Sequence, residues 1–197
     1  MKPPDRRQAL GSLLALVGAA VLPAIVRAQA ALDLTQLMQL LAQVKAGEAV
    51  FTEKRTVAML ERTLESSGKL SFEAPDTFVR ETLKPRHERV AVVGNMVTMS
   101  LGQRSRTVPL DSVPEAAIIF EAIRGTLTGN RDAIERNFRA SVTGAAARWT
   151  LELVPLVPRL RELVMSVRVS GKQSLVLEVI VAMADGDSSV MSITPQS

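Results

Sequence analysis

The chain has 197 residues, of which 47% are hydrophobic and 22% charged, with no cysteine and a formal net charge of +4. The absence of cysteine excludes disulfides, a thiol nucleophile and acylation at a lipoprotein cleavage site. Stability in an oxidising compartment must therefore come from the core alone.

The first 30 residues have the three parts of a cleavable export signal. Lys2, Arg6 and Arg7 form a positive start, an apolar run follows, and residues 28–30 read Ala-Gln-Ala, which is a cleavage sequence. The apolar run is shorter than the roughly 18 to 20 residues that a membrane anchor needs. We expect a mature protein that begins near Ala31 in the periplasm, exported by the Sec or the twin-arginine route.

Cleavage there would change the electrostatic character of the protein. The signal carries four of the 24 lysines and arginines and one of the 20 acidic residues, which leaves a net charge of only +1. The positive charge of the precursor therefore does not indicate a nucleic-acid partner. The remaining residues, 31–197, suit a single domain.

The mature sequence opens with a helix and continues with short strands. Asp33 precedes apolar residues at helical spacing from Leu34 to Val44, and Gly47 is suited to end this helix. The apolar pattern then alternates with a period of two, and short turns such as Gly94-Asn95 join the segments. The predicted strands cover residues 50–59, 64–72, 78–83, 90–93 and 97–101.

Two helices interrupt the strands before a second run completes the chain. Pro114 suits the first turn of a helix over 111–124, and a second short helix is predicted over 130–138. Further strands are predicted over 149–154, 163–169, 174–182 and 188–194. Nine or ten antiparallel strands in one sheet tend to curl toward a barrel, and an ordinary sandwich core is the alternative.

Four segments taken in order resemble a known family. They are Phe51 to Arg55 (FTEKR), Ser67 to Pro75 (SGKLSFEAP), Phe78 with Leu83 to Pro85, and Glu88 to Asn95 (ERVAVVGN). Behind an export signal and without cysteine, this set resembles the outer membrane lipoprotein carrier family, LolA-like.

The resemblance implies an α+β fold that is mainly antiparallel β, an incomplete barrel with an N-terminal helix and a helical lid. The lid would be the segment from Ala116 to Ile123, with the alternative that it is simply a helix packed on a sheet. It also implies a monomeric carrier of acyl chains that needs no cofactor. Its partners would be an acylated cargo, an inner-membrane donor transporter and an outer-membrane acceptor.

The sequence departs from the family pattern in two respects. Ala74 stands where these carriers commonly have an arginine, and Arg55 or Arg80 is a candidate replacement. Aromatic residues are few, with five Phe, one Trp and no Tyr. We therefore expect a divergent branch whose cargo is a lipoprotein, a glycolipid or a lipid-linked pigment.

The predicted cavity lining follows from bulky side chains at strand and lid positions. A register slip of one residue would reverse each strand's faces, and an ordinary core role is the alternative for every member. The lining residues are Phe51, Leu70, Phe72, Phe78, Val90, Val92, Val97, Met99, Phe120, Ile123, Trp149, Leu151, Met165 and Leu177, with Arg55 and Arg80 as polar candidates.

Enzymatic and metal-binding functions find little support in the sequence. His87 is the single histidine and lies between charged residues in a predicted loop, and no nucleophile-elbow, phosphate-loop or zinc-protease motif occurs. Asp185-Gly186-Asp187 is a turn rather than a calcium loop, because Gln196 would occupy the position of the bidentate glutamate. The alternative to a carrier is a periplasmic sensor or adaptor that binds a protein partner.

Overall fold

The computed structural model describes residues 31–60, 62–112 and 114–196. The export signal predicted for residues 1–30 lies outside the described residues. Within the described part, no helix is both long and apolar enough to cross a membrane.

Four helices and eleven strands make up the described chain. In order they are α1 (Leu34–Leu41), β1 (Ala46–Val57), β2 (Arg62–Glu73), β3 (Thr77–Lys84), β4 (Glu88–Val93), β5 (Met96–Leu101), β6 (Arg104–Pro109), α2 (Pro114–Thr128), α3 (Arg131–Glu135), β7 (Phe138–Ala145), β8 (Arg148–Pro155), α4 (Pro158–Arg161), β9 (Val164–Lys172), β10 (Leu175–Met183) and β11 (Ser188–Gln196). Single 3-10 turns follow β1 and β6.

All eleven strands form one antiparallel sheet in the order β6-β5-β4-β3-β2-β1-β11-β10-β9-β8-β7. The chain starts in the middle at β1, steps outward to β6, crosses through α2 and α3 to the far edge at β7, and steps back to β11 beside β1. The edges β6 and β7 do not pair, so the sheet stays open. This confirms the predicted fold class, a mainly antiparallel, unclosed sheet with an N-terminal helix and helices inserted between two runs of strands.

The first helix begins where the sequence predicts and ends earlier. The side chain of Asp33 accepts a hydrogen bond from the backbone N of Gln36, and the Gln36 side chain accepts one from the Asp33 backbone N, which together form a capping box. The helix ends at Leu41, and Gly47 lies inside β1 rather than at the helix end. Residues 46 to 49 form a strand instead of continuing the helix because they pair with the end of β2.

Both edge strands are absent from the sequence prediction. The segment of β6 reads RSRTVP, in which charged and hydroxyl side chains hide the alternation. In the case of β7, the predicted second helix over 130–138 is too long. Asn130 caps α3 through its bond from the backbone N of Ala133, and the helix ends at Glu135, so Phe138 is free to begin a strand.

Two apolar cores lie against the sheet. The larger one joins α1 and α3 to strands β7 to β10, and its fully buried members include Leu37, Ile134, Trp149, Leu151 and Leu160. The smaller one consists of Val92, Val97 and Leu110. The helix α2 connects them, because Phe120 packs against the smaller core and Ile118 against the larger one.

Candidate functional site

The strand register brings most of the predicted lining residues to one face of the sheet. Directly paired residues of antiparallel strands share a face. Phe72 pairs with Phe78, which pairs with Val92, which in turn pairs with Val97. We call the face that carries these four residues the inner face.

A second row lies parallel to the first on the inner face. Leu70 pairs with Arg80, Arg80 with Val90, and Val90 with Met99. Phe51 belongs to the same face, because its neighbour at i−2, Ala49, pairs with Leu70. Phe51 is buried, Leu70 and Val90 are half-buried, and Met99 is exposed near the open edge.

The helix α2 covers the first row of the inner face. Phe120 packs against the smaller core, and Phe120 and Ile123 both face the residual space between α2 and the sheet. That space measures about 20 Å³, room for about one water molecule. The helix α2 itself therefore fills most of the volume in front of the first row.

Four predicted lining residues lie in β8 to β10, apart from these rows and from α2. Trp149 and Leu151 are fully buried in the larger core beneath α1 and α3. Met165 and Leu177 are 60% and 38% exposed.

Irregularities of register explain the positions of Met165 and Leu177. The pairing of β9 with β10 shifts between Val176 and Glu178, and Val176 rather than Leu177 packs against the larger core. A second shift between Ala182 and Met183 accompanies the burial of Val164 in place of Met165. Strict alternation along a strand fails at such shifts.

A carboxylate that the sequence analysis did not select lies on the inner face beside Phe51. Glu53 accepts hydrogen bonds from Arg80 (2.5 Å), Ser66 (3.1 Å) and Ser189 (2.5 Å). The Arg80 guanidinium also lies 4.7 Å from the centre of the Phe51 ring, within cation–π distance. The only signal in the sequence is the i, i+2 spacing of Phe51 and Glu53, which places both on one face.

The electrostatics of Glu53 follow from these contacts. Burial opposes its ionisation, but the hydrogen bond from Ser189 and the charge and hydrogen bond of Arg80 outweigh it, so the pKa of Glu53 lies below its ordinary value. The side chains of Glu53 and Arg80 are 16% and 31% exposed. A largely buried ion pair therefore interrupts an otherwise apolar face.

The second polar candidate, Arg55, has a different environment. Its guanidinium donates to Asp187 at 2.8 Å, and Asp187 also accepts from the backbone N of Ala58 at 3.1 Å. Both contacts tie the end of β1 to the β10–β11 connection. Arg55 therefore has a structural partner at the end of the sheet, and Arg80 is the arginine that lies among the lining residues.

The helix α2 is held to the sheet by a polar contact as well as by packing. Arg124 of α2 donates to the backbone O of Gly94 in the β4–β5 turn at 2.6 Å and to Glu121 at 2.9 Å. The Gly94 carbonyl belongs to the rim of the sheet beside Val92. We call this contact the Arg124 latch.

No group of three or more His, Asp or Glu side chains among the described residues is arranged to hold a metal ion. The described site therefore consists of an apolar face, one ion pair and a covering helix. Such a surface is suited to binding acyl or other apolar groups, with a polar contact at one point.

Comparison with known proteins gives one family match. A family model described as "Outer membrane lipoprotein carrier protein LolA-like" matches residues 26–189. No curated protein matches the sequence.

The solved structures that match share little sequence with this chain. They include the LolA superfamily protein NE2245 from Nitrosomonas europaea (TM-score 0.43, 9% identity, 83% of this chain and 92% of that one). A DUF1329 family protein from Desulfovibrio piger matches with TM-score 0.44 and 10% identity over 82% of this chain and 88% of that one. The MucA/MucB complex from Pseudomonas aeruginosa matches with TM-score 0.44 and 10% identity over 83% of this chain and 57% of that one. At these TM-scores, the structures support no inference about function.

Proposed function

Because the chain belongs to the outer membrane lipoprotein carrier family, LolA-like, we propose that it is a periplasmic lipid carrier. It binds the acyl chains of a lipoprotein or another lipid on the inner face and moves them from the inner to the outer membrane. It acts by binding rather than by catalysis. The observation that carries the proposal is the apolar inner face of an open sheet, covered by the latched helix α2.

The closed state suggests how binding stays reversible. Burying an acyl chain gains about 0.8 kcal/mol per methylene, so a sixteen-carbon chain supplies roughly 10 kcal/mol before ordering costs. The small volume under α2 means that a chain must displace the helix. Uncovering side chains such as Phe120 and Val97 costs on the order of 1.5 to 3 kcal/mol each, which offsets part of the gain. A carrier without an energy source needs this balance in order to release its cargo.

The ion pair of Glu53 and Arg80 gives the inner face a polar point of contact for the cargo. An acyl chain alone has no group that would pair with either residue, whereas the polar head of an acylated molecule does. We propose that Arg80 exchanges part of its contact with Glu53 for an anionic or hydroxyl group of the cargo. The 31% exposure of the Arg80 side chain leaves it accessible for that exchange.

A titration with a fluorescent fatty acid tests the proposal on the mature protein. We expect saturable binding that unlabelled fatty acid reverses, together with weaker binding of short-chain analogues. Absence of uptake across chain lengths would contradict the carrier function.

One observation favours a second candidate, a periplasmic adaptor that binds a protein partner. The volume under α2 is small, and β6 is an open edge that pairs with β5 alone. An unpaired edge is a ready site for an added strand from another chain. A protein that takes up no acyl probe but pairs with a partner through β6 would support this alternative.

A further inference from the structure

One end of the sheet combines basic and apolar side chains. The hairpins β1–β2, β3–β4 and β5–β6 turn at the same end, because the strands between them alternate in direction. The passage from β6 into α2 leaves from the opposite end. We call residues 83–89 and 101–106, together with Met59 and Leu64, the basic corner.

The three hairpins differ in how far they reach. The β2–β3 pairing begins only at Ser67 with Lys84, so residues 62–66 extend past the end of β3. At about 3.3 Å per residue, this extension amounts to roughly 16 Å. Met59 lies at the tip of that hairpin and is 92% exposed.

The exposed leucines of the corner are separated from one another, each on a different strand. Leu64, Leu83 and Leu101 are each close to half exposed, on three different strands. Protein-binding surfaces concentrate apolar residues in a contiguous, charge-depleted centre. The corner instead alternates leucines with basic residues, which is typical of interfacial membrane anchors.

The basic corner carries an excess of positive charge. Residues 83–89 and 101–106 contain five basic residues and one glutamate. The basic residues are Lys84, Arg86, Arg89, Arg104 and Arg106. Within residues 31–60, 62–112 and 114–196, no carboxylate forms an ion pair with any of the five. Arg89 lies opposite Glu81 across β3 and β4. The other four cations, beside exposed leucines, complement the anionic headgroups of a lipid surface.

We propose that the basic corner docks the protein on a membrane surface that contains anionic lipid. With the projecting β1–β2 hairpin lying along the surface, Met59, Leu83 and Leu101 reach the interface between headgroups and acyl chains, and the basic side chains contact lipid phosphates. The inference goes beyond the proposed carrier function and needs no bound cargo. It describes where the protein rests on a membrane, whether or not the inner face takes up an acyl chain.

The test is cosedimentation of the mature protein with two kinds of vesicle, phosphatidylcholine alone and phosphatidylcholine mixed with phosphatidylglycerol. We expect binding to the mixed vesicles, weakening as salt is added because salt screens the attraction. Each basic residue near an anionic surface contributes about a fivefold factor, so Arg86→Gln with Arg104→Gln should weaken binding roughly 25-fold. Met59→Ser should weaken it as well.

A matched control comes from the β9–β10 turn at the opposite end of the sheet. Lys172→Gln with Arg148→Gln removes two exposed positive charges at that end, and Leu175→Ser removes one exposed leucine; both should leave vesicle binding unchanged. Equal binding to both kinds of vesicle, no binding to mixed vesicles at low salt, or equal loss in a control variant would each overturn the proposal. The fatty-acid titration, run on the same variants, separates this outcome from failure of the carrier function, because the corner variants should bind the fatty acid normally.

Discussion

Replacing Arg124 with glutamine should make acyl binding tighter while making the protein less stable. The substitution removes the Arg124 latch, a hydrogen bond of 2.6 Å from a charged donor to the Gly94 carbonyl. Hydrogen bonds from charged groups contribute about 1.5 to 3 kcal/mol, and the 30% exposure of the Arg124 side chain favours the lower end. Because α2 must leave the inner face before a chain enters, a loss of about 1.4 kcal/mol from the closed state raises the open fraction about tenfold. The apparent Kd for an acyl ligand should fall by about the same factor.

The assay is a fluorescent fatty-acid titration beside thermal unfolding of the ligand-free protein. Arg131→Gln is the matched control, because Arg131 is exposed, pairs with Glu135 within α3, donates to Thr35 of α1, and does not contact the sheet rim. The control should leave the Kd unchanged. If Arg124→Gln lowers the unfolding temperature but leaves acyl affinity equal to that of the control, α2 is a structural helix and the lid reasoning is refuted.

Three further predictions concern the inner face. Phe120→Glu should weaken acyl binding more than it lowers the unfolding temperature, and equal losses would count against a lid role for α2. The ionised Glu53 stabilises the fold above about pH 4.3, its unfolded-state value. This contribution should disappear as the pH falls through the lower folded-state pKa. Glu53→Gln should flatten acid unfolding in that range, and an unchanged pH profile would show that the pair contributes no stability. Gly68→Ala should destabilise by about 1 to 3 kcal/mol in denaturant unfolding, because an added Cβ would lie 1.9 Å from the Glu81 carbonyl O. Wild-type stability would contradict the close approach of β2 and β3.

The sequence predicts the order of elements well where the apolar pattern is regular. The strands β4 and β5 are short apolar runs, and the Gly94-Asn95 turn between them identifies both. The strands it misses, β6 and β7, are the edges of the sheet. Each pairs on one side only, and β6 has mostly exposed side chains, so its sequence carries little alternation.

The residues of the candidate site can be predicted from the sequence where neighbouring strands pair without a shift in register. Phe72, Phe78, Val92 and Val97 fall on one face because β2 to β5 pair in phase through these positions. The shift within β10 displaces Leu177, and nothing in the local pattern marks it.

Contacts between distant segments are beyond the reach of pattern analysis. Glu53 and Ser189 are separated by 136 residues, and their contact exists because β11 returns to pair with β1. The Arg124 latch joins a helix to a turn 30 residues away. Both depend on the assembled sheet, and the sequence alone offers only the i, i+2 spacing of Phe51 and Glu53 as a pointer to the first.

Native mass spectrometry with lipid extraction tests the carrier account most directly. The mature protein would be purified without detergent from the periplasm of its own host. The account predicts a stoichiometric acylated molecule that leaves the protein on extraction and identifies the cargo. A protein of apo mass that also takes up no fluorescent fatty acid would contradict it.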